Sequence, residues 1–375
     1  MMIAVGGVGF AVLLMFIEMG FLNALLDSTV EVLRVMRGEL VIVSQTKFAM
    51  AARERFDLQR AYQAQAIPGV EGVYPVYMET MGAILRRRDA TPPPRGYPIR
   101  VFGFRPGDPL WKIPAVAERL SELRQPGVAL LDEASRRQYG LSRRGSQLAK
   151  QDVELTGRRL RFAGTFYLGV DFTNDGNLIM TAENFAHYFP YRLRGSNPLN
   201  VVDLALVKLQ PGADPLAVQR QLIERLPDDV RVETKEKFIE SEKKFWRKST
   251  PIGYIFFVGT VVGFVVGVII CYQIIYADIS DHMREFATMK AMGYRTTYFF
   301  QLVLTQAACL SVFGFVPGCL AAAGVYWLIA SITGLTMEMK LATTVEILAA
   351  TLCMCSISGL LAVRKLLSAD PAELF

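Results

Sequence analysis

The sequence predicts a four-helix membrane protein with a large mixed α/β domain between its first and second helices. Three observations predict it. Four stretches are almost free of charge: residues 1–22 carry only Glu18, 251–277 and 299–337 carry none, and 341–363 carry only Glu346. About 20 apolar residues are what a helix needs to cross a hydrocarbon core of about 30 Å. Between the first two stretches lies a polar segment that holds 35 of the 41 Lys and Arg residues and 27 of the 35 acids. Within it, helical and strand periodicities alternate.

The chain accordingly divides into helix 1 over 1–22, a soluble domain with helical stalks over 23–250, and helix 2 over 251–277. A loop with a short helix follows over 278–298, then helix 3 over 299–330, a loop over 331–343, helix 4 over 344–363 and a tail over 364–375. The start, MMIAVGGVGF, has no basic flank and no clean small-x-small cleavage site, so it is read as an uncleaved membrane helix rather than a signal peptide. Basic residues near helix ends stay cytoplasmic. Arg284, Lys290 and Arg295 mark 278–298 as inside, as Arg364 and Lys365 mark the tail, while 331–343 has only Lys340. The large domain is then outside.

Helix 2 carries Gly259, Gly263 and Gly267, each four apart. That spacing leaves a flat stripe where another backbone can approach. Two readings stand open: packing inside one subunit, or the seam of a dimer. Pro317 is expected to kink helix 3. Glu18 and Glu346 fall near the outer helix ends, where headgroups or water can solvate them, and this reading is preferred to a proton relay.

In the domain, strands are expected at 39–44, 70–77, 83–85, 99–104, 127–131, 177–180 and 202–208. A hairpin is expected over 153–163 around Thr156-Gly157. Helices are expected at 133–139, 182–188, 215–226 and 235–248, the last leading straight into helix 2. The helix at 215–226 is expected to bury Leu216, Gln219, Leu222, Ile223 and Leu226.

Little of this carries chemistry. Arg86-Arg87-Arg88, leading into Thr91-Pro92-Pro93-Pro94, is the one dense basic cluster, and no aromatic-interleaved basic stripe accompanies it, so no nucleic-acid partner is expected. Cys271, Cys309, Cys319, Cys353 and Cys355 all fall in apolar segments, and His187 and His282 are the only histidines, so no His/Cys metal cluster is expected. Asp171-Phe172-Thr173-Asn174-Asp175-Gly176 opens like a calcium loop, but its twelfth position is Ala182 instead of a bidentate Glu, and it is read as a turn. No P-loop pattern occurs, so ATP, if used, is bound elsewhere.

The segment DHMREFATMKAMGYRTTYFF, residues 281–300, is the informative one. Met283, Phe286 and Met289 recur every three residues with Ala287 beside them. Acids come early and Lys290 late, which suits the helix dipole. Gly293 can end the helix in a left-handed conformation. Such a helix can lie in the membrane interface or fill a groove on a partner, and periodicity alone leaves both open.

Arg284-Glu285-Phe286-Ala287-Thr288-Met289-Lys290-Ala291-Met292-Gly293 resembles the coupling-helix motif of FtsX-like (MacB-type) ABC transporter permeases, approximately R-E-I-A-x-L-[RK]-A-[LM]-G. Asp370-Pro371-Ala372-Glu373-Leu374 resembles that family's D-P-A-E-A-L ending. Within the family the chain resembles the DevC branch at Gly164–Gly169, Asp175–Ile179, Leu131–Ser135 and Leu14–Phe16 with Gly20-Phe21. Two departures stand out: the basic amphipathic helix usual before helix 1 is missing, which fits a start upstream of Met1, and Glu18 replaces an expected Gln.

The resemblance implies a MacB-like periplasmic domain on an inner-membrane permease that works as a homodimer. It implies a separate ABC ATPase subunit, which binds the ATP and Mg, so the chain is no enzyme itself. Arg284, Glu285, Phe286, Met289, Lys290 and Gly293 become the ATPase-coupling helix, with Arg284 and Glu285 in contact. It implies a HlyD-like membrane-fusion adaptor, a TolC-like outer-membrane channel and export of a glycolipid or other hydrophobic substrate by mechanotransmission. The alternatives are an FtsX-like regulator of cell-wall hydrolases, which the outer segment of 228 residues disfavours, and a lipoprotein-releasing permease. A membrane-anchored enzyme finds no catalytic constellation.

Overall fold

The computed structural model describes residues 2–89, 95–142, 145–171, 173–192, 197–333 and 337–368. The Thr91–Pro94 loop, Phe172 and the Asp370–Leu374 ending lie outside the described residues. The chain divides into two compact units, one of Met1–Ala24 with Thr250–Phe375, the other of Leu25–Ser249. Helix α1 (Met2–Arg34) supplies residues to both.

The Leu25–Ser249 unit is built on strands whose two faces are both apolar. In β1 (Leu40–Ser44), Leu40 and Ile42 enter one core cluster while Val41 and Val43 enter the other. Strands buried on both faces read as continuous apolar runs, which is why they stand out in the sequence. After β1 come β2 (Phe56–Asp57), α2 (Gln59–Gln65), β3 (Val70–Glu79), β4 (Ile84–Arg87), β5 (Tyr97–Pro98) and β6 (Arg100–Phe104). Then follow α3 (Pro114–Glu118), α4 (Leu120–Leu123), β7 (Val128–Asp132), α5 (Gly145–Leu148), β8 (Val153–Leu155), β9 (Arg158–Phe166), β10 (Asn177–Thr181) and α6 (Ala182–Tyr188). The unit closes with β11 (Val201–Val202), β12 (Leu204–Leu209), α7 (Pro215–Arg225), β13 (Val230–Thr234) and α8 (Lys235–Lys248).

Eleven strands form one mixed sheet in the order β13-β1-β12-β3-β6-β10-β7-β9-β8-β4-β5. The β6/β10 and β7/β9 pairs are parallel and the other pairs antiparallel. Ala61 and Ala64 of α2, Phe185 and Tyr188 of α6 and Val218 and Leu222 of α7 join the cluster on one face. Val32 and Leu33 of α1, Val116 of α3, Leu123 of α4 and Phe238 of α8 join the cluster on the other. The result is a three-layer helix–sheet–helix unit. The hairpin of β8 and β9 turns at Thr156 (φ +51°) and Gly157 (φ +79°), the left-handed pair a two-residue turn requires. At Gly103 a Cβ would lie 2.8 Å from Phe185, so α6 seats on the sheet only over a glycine.

Four expectations are corrected. The helix expected over 133–139 is only a single 3-10 turn, Arg137–Tyr139. Asp132 Oδ1 accepts from Ala134 N at 3.0 Å, and Arg136 N donates to Asp175 O at 2.8 Å, so the backbone is tied outward. The strand expected over 202–208 breaks at Asp203, whose carboxylate accepts from Met78 N at 2.7 Å and is paired with Arg192. Helix α7 buries Val218 and Leu222, while Leu216 and Ile223 stay 60% and 56% exposed. Gln219 Nε2 donates to Val232 O at 2.8 Å and fixes the helix in that rotation. Finally, α8 does not run on into the next helix: Ser249 and Thr250 intervene, with Thr250 extended before Pro251.

In the other unit, α1 is joined by α9 (Pro251–Asp281), α10 (Met283–Ala291), α11 (Thr296–Thr333) and α12 (Leu341–Ser368). Four helices, α1, α9, α11 and α12, are long and apolar enough to cross a membrane. Pro317 lies inside α11 without ending it. With no hydrophobic drive between helices in lipid, close backbone approach supplies the packing. At Gly318 a Cβ would lie 2.7 Å from Gly9 O and 2.8 Å from Val12 Cβ, and at Gly314 it would meet Val8. Gly314 and Gly318 thus seat α1 on α11. Tyr326 donates to Phe16 O in the same seam, over Gly20. Asn23 Nδ2 donates to Thr343 Oγ1 at 2.9 Å, joining α1 to α12.

Candidate functional site: the helix between the second and third spans

Helix α10 is nine residues long, and its sequence fixes both ends. Its start follows one residue after α9. His282 N donates to Asp278 O at 3.2 Å, and His282 Nδ1 lies 2.9 Å from the same oxygen. That carbonyl holds the His282 pKa above the ordinary histidine value, and the Asp278, Glu285 and Asp281 carboxylates add to the effect. Gln306 Nε2 donates to Asp278 Oδ2, tying the end of α9 to α11.

At the far end Gly293 has φ +90°. Tyr294 N donates to Met289 O at 3.3 Å and Gly293 N to Lys290 O at 3.1 Å. These are the 6→1 and 5→2 bonds of a Schellman cap, with glycine at the left-handed position. Glu285 in the first turn and Lys290 in the last oppose the helix dipole.

The helix has two edges. Met283 and Phe286 are half-buried against the core of the four-helix unit, and Ala287 is buried. Phe286 meets Phe299 of α11 with ring centroids 6.0 Å apart. Met289 is half-buried. Arg284, Glu285, Thr288 and Lys290 are exposed. Among the described residues, no ion pair involves Arg284, Glu285 or Lys290. Tyr294 and Tyr298, 47% and 41% exposed, extend this outward side, with rings 4.9 Å apart. The structure thus places Arg284, Glu285, Phe286, Met289 and Lys290 on one short helix with Gly293 in its C-terminal cap, and separates the residues that hold the helix from those turned outward. His282 and Gln306 escaped the sequence reading; Asp278 and Gln306, polar residues at span ends, were the signal.

The three glycines of α9 lie elsewhere. A Cβ at Gly259 would lie 2.7 Å from the Glu18 carboxyl, at Gly263 3.7 Å from Met15, and at Gly267 3.0 Å from Ala11 Cβ and in overlap with Met354. The stripe is filled by α1 and α12 of the same chain. Glu18 is half-buried over Gly259, and Glu346 is exposed.

In the domain, the stretches that carry the branch resemblance converge on a buried polar hub. Asp132 accepts from Ala134 N, Leu168 N, Gly169 N and, at 2.7 Å, Asn177 Nδ2. Burial pushes its pKa up, and those four donors oppose the shift. Arg100 donates to Asn177 Oδ1 at 2.8 Å and pairs with Asp171 at 2.7 Å. Asp171 Oδ1 also takes the backbone N–H groups of Thr173 and Asn174, closing a turn. The hub ties β7, β10 and two loops together, and its side chains are spent on one another.

Four spanning helices and a large mixed domain define a polytopic membrane protein. Residues 255–371, from α9 into the tail, match the family model described as FtsX-like permease C-terminal. Over those residues the chain is similar to FtsX-like permeases. The chain is also similar in structure to the periplasmic region of MacB from Actinobacillus actinomycetemcomitans, with 13% identity, 56% of this chain and 94% of that one covered, and a TM-score of 0.38. The extracellular domain of the noncanonic ABC-type transporter YknZ from Gram-positive bacteria gives 12% identity, 52% and 99% coverage, and a TM-score of 0.34. No curated protein matches the chain.

Proposed function

We propose that the chain is the permease subunit of a MacB-type ABC exporter, and that α10 is the element through which a separate ATPase subunit drives it. The observation that carries this reading is α10 itself: a capped nine-residue helix between two spans, held by Met283, Phe286 and Ala287 and presenting Arg284 and Glu285 with no ion pair among the described residues. A connection made only to reverse the chain needs fewer residues, whereas an amphipathic helix with a free charged edge suits a groove on a partner. The match over 255–371 includes this segment.

Arg284, Lys290 and Arg295 place α10 in the cytoplasm, where an ATPase works, and put the Leu25–Ser249 unit on the far side. The working unit is a homodimer. Because the α9 glycine stripe is filled by its own chain, the contact with the second copy is made elsewhere. The proposed cargo is a lipid, a glycolipid or another hydrophobic molecule, passed to a membrane-fusion adaptor and an outer-membrane channel, with the nucleotide bound by the separate ATPase subunit.

The test is a pull-down of the tagged full chain in detergent, with Glu285→Arg beside the parent. The parent recovers an ABC ATPase with an adaptor. Glu285→Arg loses the ATPase at least about tenfold while keeping its thermal stability, since Glu285 is exposed and charge pairs at such docking sites are worth about 1.5 kcal/mol or more. Full retention of the ATPase by Glu285→Arg refutes the role of α10, and recovery of a wall hydrolase in place of the adaptor moves the function to regulation.

A further inference from the structure

The seam between α9 and α12 holds two thiols that face one another. Cys271 and Cys355 are both fully buried, and their sulfurs lie 3.6 Å apart. The surrounding contacts hold the pair in register. One turn before Cys271, Gly267 gives way to Met354, the neighbour of Cys355. Ser358 Oγ donates to Val268 O at 2.8 Å, a direct link from α12 to the α9 backbone. A disulfide bond is about 2.04 Å long, so closure asks the sulfurs to approach by about 1.6 Å, within reach of side-chain rotation and small helix adjustments.

We propose that Cys271 and Cys355 form an oxidisable pair that closes into a reversible disulfide between α9 and α12. The oxidant is a lipid-soluble quinone, because both helices are spans, and it reaches the buried thiols when the α9–α12 seam opens locally. In the reaction two S–H bonds break and one S–S bond forms. The two electrons and two protons pass to the quinone oxygens, giving the hydroquinone. A dithiol returns the pair to its reduced form by exchange. Cys309 and Cys353 are exposed on the helix surface and Cys319 is half-buried near Met339, so none of them shares this arrangement. The closed bond adds a covalent staple to packing and the Ser358–Val268 hydrogen bond, and it stiffens the segment of α9 that leads to α10.

The full chain in lipid nanodiscs is treated with a fully substituted benzoquinone, which cannot add to thiols, and digested without reduction. The expected product is a linked peptide pair containing Cys271 and Cys355, two hydrogens lighter than the reduced pair and separated by dithiothreitol. Its thermal unfolding midpoint rises above that of the reduced chain. Cys271→Ser and Cys355→Ser each abolish the linked peptide. Reading the peptide on the parent chain keeps the result independent of how the variants fold. Thiols at 271 and 355 that remain alkylatable after denaturation, or that link to Cys309, Cys319, Cys353 or a second chain, overturn the proposal.

Discussion

Gly293→Ala isolates the contribution of one backbone angle to α10. Gly293 sits at φ +90°, and a Cβ there would meet nothing within 4 Å. The substitution therefore adds no clash and removes no side chain, and its cost is conformational. Holding an L-residue in the left-handed region costs about 1–2 kcal/mol. Alanine also restricts the unfolded chain, which returns about 0.4–1 kcal/mol at compatible sites but is outweighed where φ is positive. The net cost is about 1 kcal/mol, or roughly a fivefold loss of the capped form. A nine-residue helix has little reserve, because isolated helices shorter than about 12 residues are marginal in water. Hydrogen exchange on the full chain in nanodiscs reads this directly at the amides of residues 292, 293 and 294, which donate to Thr288, Lys290 and Met289. Those amides should exchange about five times faster in Gly293→Ala, with α12 unchanged. Gly293→Asn, whose side chain tolerates the left-handed region, should fall between. Unchanged protection in Gly293→Ala, or equal effects of Ala and Asn, would refute the cap as the element that sets α10.

The other predictions rest on separate features. Asp203→Ala should cost about 3–5 kcal/mol in unfolding of the full chain, because Arg192, with a fully buried side chain, loses its partner and Met78 N loses its acceptor. Arg192→Met should cost less, since Asp203 keeps Arg55 at 3.1 Å and Met78 N; the reverse order would sink this account of the Arg192–Asp203 pair. Gly318→Ala should lower the thermal stability of the detergent-solubilised chain by an over-packing cost of about 1–3 kcal/mol, whereas Gly324→Ala, with nothing within 4 Å, should not; equal effects would show that α1 does not seat on Gly318. Glu242 accepts from Met50 N and Trp246 Nε1, and burial pushes its pKa up despite these donors and Lys47. A carboxyl with a raised folded-state pKa takes up a proton on folding, so its contribution favours the folded state increasingly as pH falls toward the ordinary carboxylate range. Glu242→Gln should therefore show a flatter stability–pH profile than the parent between neutral pH and that range, and identical profiles would contradict the shift.

What the sequence revealed and what it hid divide along physical lines. Strands such as 40–44 and 128–132 were legible because both of their faces are buried, so no register had to be inferred. The four spans were legible from composition alone. The rotation of α7 was not: Leu216 and Ile223 suit a buried face as well as Val218 does, and the bond from Gln219 to Val232 decides between them. Residues 133–139 have helical propensity, yet Asp132 and Asp175 capture their backbone from outside the segment. Gly314 and Gly318 repeat at the same interval as the α9 glycines and could have been read as a close helix contact; Pro317 beside them drew attention to a kink instead. For α10, the sequence supplied the cap and the two edges, while the tie from His282 and Gln306 to Asp278 depends on elements brought together only by the fold.

The placement of the glycines bears on how α10 could act. In the proposed role, a pull on α10 would reach α9 across a single residue, His282, and α11 through Phe286 and Phe299. Helix α11 meets α1 at close quarters at Gly314 and Gly318, over Val8, Gly9 and Val12, whereas α9 meets it over the longer side chains of Glu18 at Gly259 and Met15 at Gly263. The α1–α11 contact has no long side chain to absorb a displacement, and packed interfaces yield by discrete shifts instead of continuous deformation. Helix α1 continues without a break to Arg34, and within the Leu25–Ser249 unit its Asp27 pairs with Lys243 of α8. A helix seated on α11 over Gly314 and Gly318 suits the proposed role of α10 better than one loosely packed span would.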